Sequence, residues 1–187
     1  AIGPALKLAD ATMIINYVAK MVAVRHGKSA TFMPKPLYGE AGNGLHFHLT
    51  LRKGDEPVFF DPKGYAGLSQ LAHFFIAGIL EHGPALLGLC NPSTNSYKRL
   101  VPGYEAPINL FFSSGNRSAA IRIPDYARAP EEKRFEFRPP DATCNPYLAM
   151  SAILMAGIDG VERRLDPSAL GFGPIDENIF EWSDEKR

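Results

Sequence analysis

From Leu45 to Leu51 apolar and polar residues alternate without a break, Leu45, Phe47, Leu49 and Leu51 against His46, His48 and Thr50. A period of two places these sets on opposite faces of a strand, one covered and one carrying imidazoles and a hydroxyl. The rest of the chain must therefore complete a sheet with one buried face and one polar working face. Val58 to Phe60, Ile108 to Phe112, Ala119 to Ile123 and Arg134 to Arg138 read as further strands. Leu6 to Arg25 carries a helical stripe (Leu6, Ala9, Met13, Tyr17, Met21, Val24) that ends before Gly27. Leu68 to His82 reads as a second helix, stopped by Gly83-Pro84. Asn145, followed by Pro146, caps a third that runs to about Arg164. Strands and helices are segregated, so the expected class is α+β, with a mainly antiparallel sheet and helices packed on one face.

The 187 residues suffice for one domain with a substantial core. Lys plus Arg, 20, equals Asp plus Glu, 20, which argues against a nucleic-acid-binding module. No apolar run approaches the roughly 20 residues of a membrane span. Cys90 and Cys144 are isolated and read as buried thiols of a reducing compartment, so a cytoplasmic protein is expected.

The chemistry-bearing residues cluster in a few segments. Asn91 to Pro107 reads as a rigid loop, with Pro92, Pro102, Gly103 and Pro107 framing Lys98, Arg99 and Glu105. Arg117 and Arg122 flank and enter the strand Ala119 to Ile123. Arg134 and Arg138 share a face with Glu136, opposite Phe135 and Phe137. Burying a guanidinium is costly unless it is paired. Two readings follow: solvated arginines at a sheet edge, or a cluster that wants a phosphate or carboxylate. His46 and Glu136 offer a mixed nitrogen and oxygen pair suited to Mn²⁺ or Mg²⁺, but two ligands do not hold a metal. The glycines of 39–44 let backbone N–H groups approach a ligand, without the Gly-Lys-Ser/Thr of a phosphate loop. No histidine stands at a suggestive spacing from Ser93, Ser96, Ser113 or Ser114.

Five segments, in order, resemble class I glutamine synthetases. They are Ala30 to Pro36 (ATFMPKP), Gly42 to His48 (GNGLHFH), Asn91 to Pro107 (NPSTNSYKRLVPGYEAP), Asn116 to Pro124 (NRSAAIRIP), and Arg134 to Arg138 (RFEFR) running on to Asp141 and Asn145 to Leu148. The resemblance implies that His46 and Glu136 ligate a metal ion, Mg²⁺ or Mn²⁺. It implies that Arg99, Arg138 and Gly42 hold glutamate, and that His48, Thr50, Arg122 and Arg134 lie on the nucleotide side. Arg117 is implied to face the ATP phosphates and, with Glu105, to act in catalysis. Glu105 matches the glutamate of a mobile flap that shields the intermediate and helps bind ammonium. The implied reaction is phosphoryl transfer from ATP to glutamate, then attack of ammonia on the γ-glutamyl phosphate, in a ring-shaped homo-oligomer.

Against that pattern, Ala41 replaces an asparagine of the glutamate-binding loop. Gly115 replaces an arginine of many regulated members, and Phe180 stands where those carry the tyrosine that is adenylylated. Family chains are more than twice as long. Residues 1–164 are therefore expected to be part of a catalytic domain, and 165–187 a loop or tail leading toward a missing carboxyl-terminal segment. Such a chain is expected to be inactive alone. Two other readings are a γ-glutamyl-polyamine or γ-glutamyl-amine ligase of the same fold, and a non-catalytic structural relative.

Overall fold

The alternating segment forms a strand, β1, that spans only Phe47–Leu49 in the computed structural model, which describes residues 2–104 and 106–177. Leu45, Leu49 and Leu51 still pack against the core while His48 and Thr50 are exposed, so the facing holds beyond the paired residues. Three more strands complete the sheet: β4 (Asn109–Ser114), β5 (Ala119–Ile123) and β6 (Phe135–Phe137). Between them in sequence, β2 (Arg52–Lys53) and β3 (Glu56–Pro57) make a separate small hairpin. The strand expected at Val58 to Phe60 is not one. Pairing ends at Pro57, and Phe60 makes only an isolated bridge to Leu68.

The four-stranded order is β1-β6-β5-β4, antiparallel except between β4 and β5. Register divides the two faces. His48, Glu136 and Arg122 lie opposite one another across three strands, and so do Phe47, Phe137 and Ile121 in the next row. Neighbouring rows point to opposite sides. The apolar row enters a core with Phe59, Phe75 and Phe135, whose rings lie 5.5–6.0 Å apart. The charged row faces away from it.

Among the described residues five α-helices accompany the sheet: α1 (Ala5–Arg25), α2 (Gln70–Glu81), α3 (Gly83–Cys90), α4 (Thr94–Arg99) and α5 (Pro146–Glu162). Ser69 caps α2, its hydroxyl accepting from the Ala72 amide, and Asn145 caps α5 through the Tyr147 and Leu148 amides. α2, α3 and α5 bury their apolar faces against the sheet. α2 and α5 cross so closely that a Cβ on Gly78 would lie 2.1 Å from the Ala156 carbonyl oxygen, and one on Gly160 2.2 Å from that of Phe74. Only glycine permits this approach.

Two expectations fail here for one reason. Gly83-Pro84 stops α2 but also opens α3, because proline is equally at home in a first helical turn. The segment expected as a rigid loop contains α4, started by a reciprocal capping box between Ser93 and Ser96. Breaker residues mark helix starts as well as stops. α1 is a helix as expected, yet of its stripe only Ala9 is buried; Leu6, Met13, Tyr17, Met21 and Val24 are exposed. Past α5, residues up to 177 run beside β4: the Phe112 amide donates to the Phe172 carbonyl, and the Ile175 amide to the Phe112 carbonyl, both at 3.0 Å. Among the described residues no single helix is long and apolar enough to cross a membrane.

Candidate active site

Glu136, in the middle of β6 and 3% exposed, is the hub of the polar face. Its Oε1 accepts from His46 Nδ1 at 2.7 Å and from an Arg138 guanidinium nitrogen at 3.0 Å, while Oε2 lies 3.1 Å from Arg122 Nε. Burial pushes the carboxyl pKa up. The His46 hydrogen bond, with the charges of Arg138, His46 and Arg122, outweighs burial and brings it to about 2. The carboxylate is therefore ionised at neutral pH, and the shared contact fixes the proton of His46 on Nδ1.

His48 stands beside this hub, with Nε2 3.9 Å from Glu136 Oε1. Burial lowers its pKa, Glu136 opposes that, and Arg134 and Arg122 add to it, so its imidazole is biased toward the neutral form. Arg134 Nε donates to His48 Nδ1 at 3.3 Å and is itself steadied by the Glu132 carbonyl and the Tyr126 hydroxyl.

Arg99 ends α4 with its side chain 5% exposed. It donates to the carbonyls of Pro139 (2.7 Å), Pro140 (3.2 Å) and Arg138 (3.1 Å). Burial lowers its pKa and Asp141 counters that. Asp141 is fully buried and bonded by Asn91 and Thr143, which ties the start of the 91–107 segment to the chain after β6. Arg138 Nε donates to the carbonyl of Arg117 in the turn between β4 and β5. Arg99, Arg138, His46, Gly42 and Gly44 converge, with Tyr104 and Ala106, on one cavity of about 130 Å³. Gly44 leaves the room: a Cβ there would lie 2.7 Å from His46 Nε2 and 2.8 Å from a terminal nitrogen of Arg99.

The structure thus brings together His46, His48, Glu136, Arg122, Arg134 and Arg138 on one face, with Arg99 and Gly42 at its margin. Thr50 lies exposed just beyond β1, and Arg117 reaches the group through its backbone. Glu105 and Phe180 lie outside the described residues. Gly115 has φ +82°, a left-handed backbone conformation that strains an arginine or any other residue with a Cβ. Sequence reasoning passed over Lys35 and Tyr104, which meet across the cavity rim; two residues so far apart in the chain leave no periodic signal.

As a metal site the residues fit poorly. His46 and Glu136 bond each other rather than presenting two donors to one point, and of the Glu136 oxygens only buried Oε2 lacks a hydrogen bond. Among the described residues no group of three or more His, Cys, Asp or Glu could hold an ion. What the arrangement does offer is an excess of fixed guanidinium around one carboxylate, an environment suited to an anion.

Comparison with known proteins gives the family. The family model of the glutamine synthetase catalytic domain matches residues 1–187. The chain is 52% identical to glutamine synthetase of Streptomyces filamentosus over 181 residues, 97% of this chain and 38% of that protein. It is 53% identical to glutamine synthetase of Microchaete diplosiphon over 184 residues, 98% of this chain and 38% of that protein. The cryo-electron-microscopy structure of Plasmodium falciparum glutamine synthetase superposes with a TM-score of 0.82 at 42% identity, covering 86% of this chain and 31% of that one. The chain spans 38% of the length of these two curated relatives.

Proposed function

Since the chain belongs to the glutamine synthetase catalytic-domain family, we propose that it forms part of an ATP-dependent ligase joining ammonia to glutamate. ATP phosphorylates the γ-carboxylate of glutamate and leaves as ADP. Ammonia then attacks the acyl carbon, the C–O bond to phosphate breaks, and glutamine and inorganic phosphate result. The observation that carries this reading is the cavity beside Glu136, where the buried guanidiniums of Arg99 and Arg138 face glycine-lined space.

In this reading Arg99, Arg138 and Gly42 hold glutamate. Arg117, Arg122 and Arg134, with His48 and Thr50, face the nucleotide and offset charge on the transferred phosphoryl group. Glu105 draws ammonium and keeps water from the acyl phosphate. The single carboxylate at the hub holds the Arg138 guanidinium by a hydrogen bond and keeps that of Arg122 beside it, so positive charge is already in place as charge moves. Mg²⁺ or Mn²⁺ requires donors beyond His46 and Glu136. A ring-shaped homo-oligomer in the cytoplasm completes the proposal.

The test uses a polypeptide of the relatives' length containing this chain. Glutamine should form with ATP and ammonia, matched one to one by phosphate, whereas the 187-residue chain alone should form none. Glu105→Ala should raise phosphate released per glutamine. A full-length protein that makes no glutamine overturns the reading.

A further inference from the structure

Tyr104 lines the cavity of about 130 Å³ and also an adjoining cleft of about 730 Å³, whose wall includes Lys98, Met33 and Val101. Its side chain is held at two points. The Lys35 ammonium lies 3.6 Å from the ring centroid, and the Tyr104 hydroxyl donates to the Gly39 carbonyl at 3.0 Å. Lys35 is itself fixed: its ammonium donates to the Glu40 carbonyl, and its backbone exchanges hydrogen bonds with the Asn95 side chain at 2.6 and 3.0 Å. Lys35 is 9% exposed and pairs with no carboxylate among the described residues. A cation shielded from water is attracted more strongly to a ring face, so this contact orients the tyrosine rather than merely covering it.

We propose that Tyr104 is the size-determining wall of the acid-binding cavity and that Lys35 is its positioning residue. The proposal rests on the reading of that cavity as the glutamate site. The smaller space, with two guanidiniums and glycine backbone, suits a short amino dicarboxylic acid. The neighbouring cleft is several times larger and carries Lys98, so without the ring the two become one volume able to take a longer acid. A single added methylene is the smallest step that meets the wall, and pockets discriminate such a step by about 10–200-fold.

The experiment measures kcat/KM for glutamate and for 2-aminoadipate, one methylene longer, in a polypeptide of the relatives' length. Tyr104→Ala should reduce the preference for glutamate by about tenfold or more, chiefly through a lower KM for 2-aminoadipate. Tyr104→Phe keeps the ring and its cation and should keep the preference. Lys35→Met should relax it in the same direction as Tyr104→Ala, and Lys35→Arg should restore it. Should Tyr104→Ala fail to fold, the contrast between the two Lys35 variants tests the preference instead. A merely structural role would depress both acids equally, and an unchanged ratio in variants that still make glutamine overturns the proposal alone. A wild-type protein that converts neither acid overturns the glutamate reading and the proposal with it.

Discussion

Arg122 Nε and Glu136 Oε2 lie 3.1 Å apart in a buried ion pair, yet among the described residues neither atom makes a hydrogen bond. The charges attract, but the N–H is aimed badly. The carboxylate stays because Arg138 and His46 hold its other oxygen. A pair with one well-made side and one loose side is costly to break and able to realign when an anion arrives.

Glu136→Gln should therefore destabilise the protein by about 3–5 kcal/mol, since it strands buried guanidiniums without their carboxylate. Chemical denaturation followed by circular dichroism measures this. A change below about 1 kcal/mol would mean that solvent already screens the hub.

Acid should loosen the segment after α5 before it unfolds the sheet. Burial works against ionisation of Asp176, but the hydroxyls of Ser113 and Tyr65 and the Ser114 amide, all bonded to it, lower its pKa below the usual value. For a carboxyl depressed on folding, the contribution is complete above the unfolded pKa of about 4 and disappears as pH falls through the folded one. Hydrogen exchange at the Ile175 amide, corrected for intrinsic rates, should lose protection below about pH 4. Pre-titrating Asp176→Asn should remove that pH dependence.

The α2–α5 crossing should not tolerate a methyl group. Gly160→Ala has no free space and forces the helices apart, for a loss of about 1–3 kcal/mol, read as a fall of several degrees in the thermal midpoint. Gly88→Ala, at a helical glycine whose Cβ would meet nothing within 4 Å, serves as the control and should not destabilise.

The thiols should be inert in the folded protein. Burial raises Cys90 to about 12 and Cys144 to about 11, so almost no thiolate exists at pH 8. Iodoacetamide should label neither until denaturant is added, as mass spectrometry would show.

The strands on the working face were legible because period-two patterning leaves a strong signal: Ala119 to Ile123 coincides with β5, and Phe135 to Phe137 lies inside the segment read as a strand. That His46 and Glu136 share a face followed from the resemblance and from alternation; the register of β1 on β6 sets His48 opposite Glu136, and His46, two residues before His48, reaches the same carboxylate. α3 and α4 were missed because eight and six residues give little periodicity and begin with residues that also break helices. The role of Arg99 as a ligand of three carbonyls could not be read either, since it depends on where the chain after β6 passes. Lys35 and Tyr104 were hidden for the same reason: a tertiary contact has no local pattern.

The run of residues 172–175 beside β4 has a consequence for how the molecule behaves among its neighbours. β4 is the last strand of its sheet, and the Phe112 amide and carbonyl are taken up by Phe172 and Ile175. Stripped of that cover, β4 would present unpaired backbone beside Phe111 and Phe112, a template on which another chain could add a strand. A polypeptide ending before Phe172 should therefore polymerise edge to edge as its concentration rises.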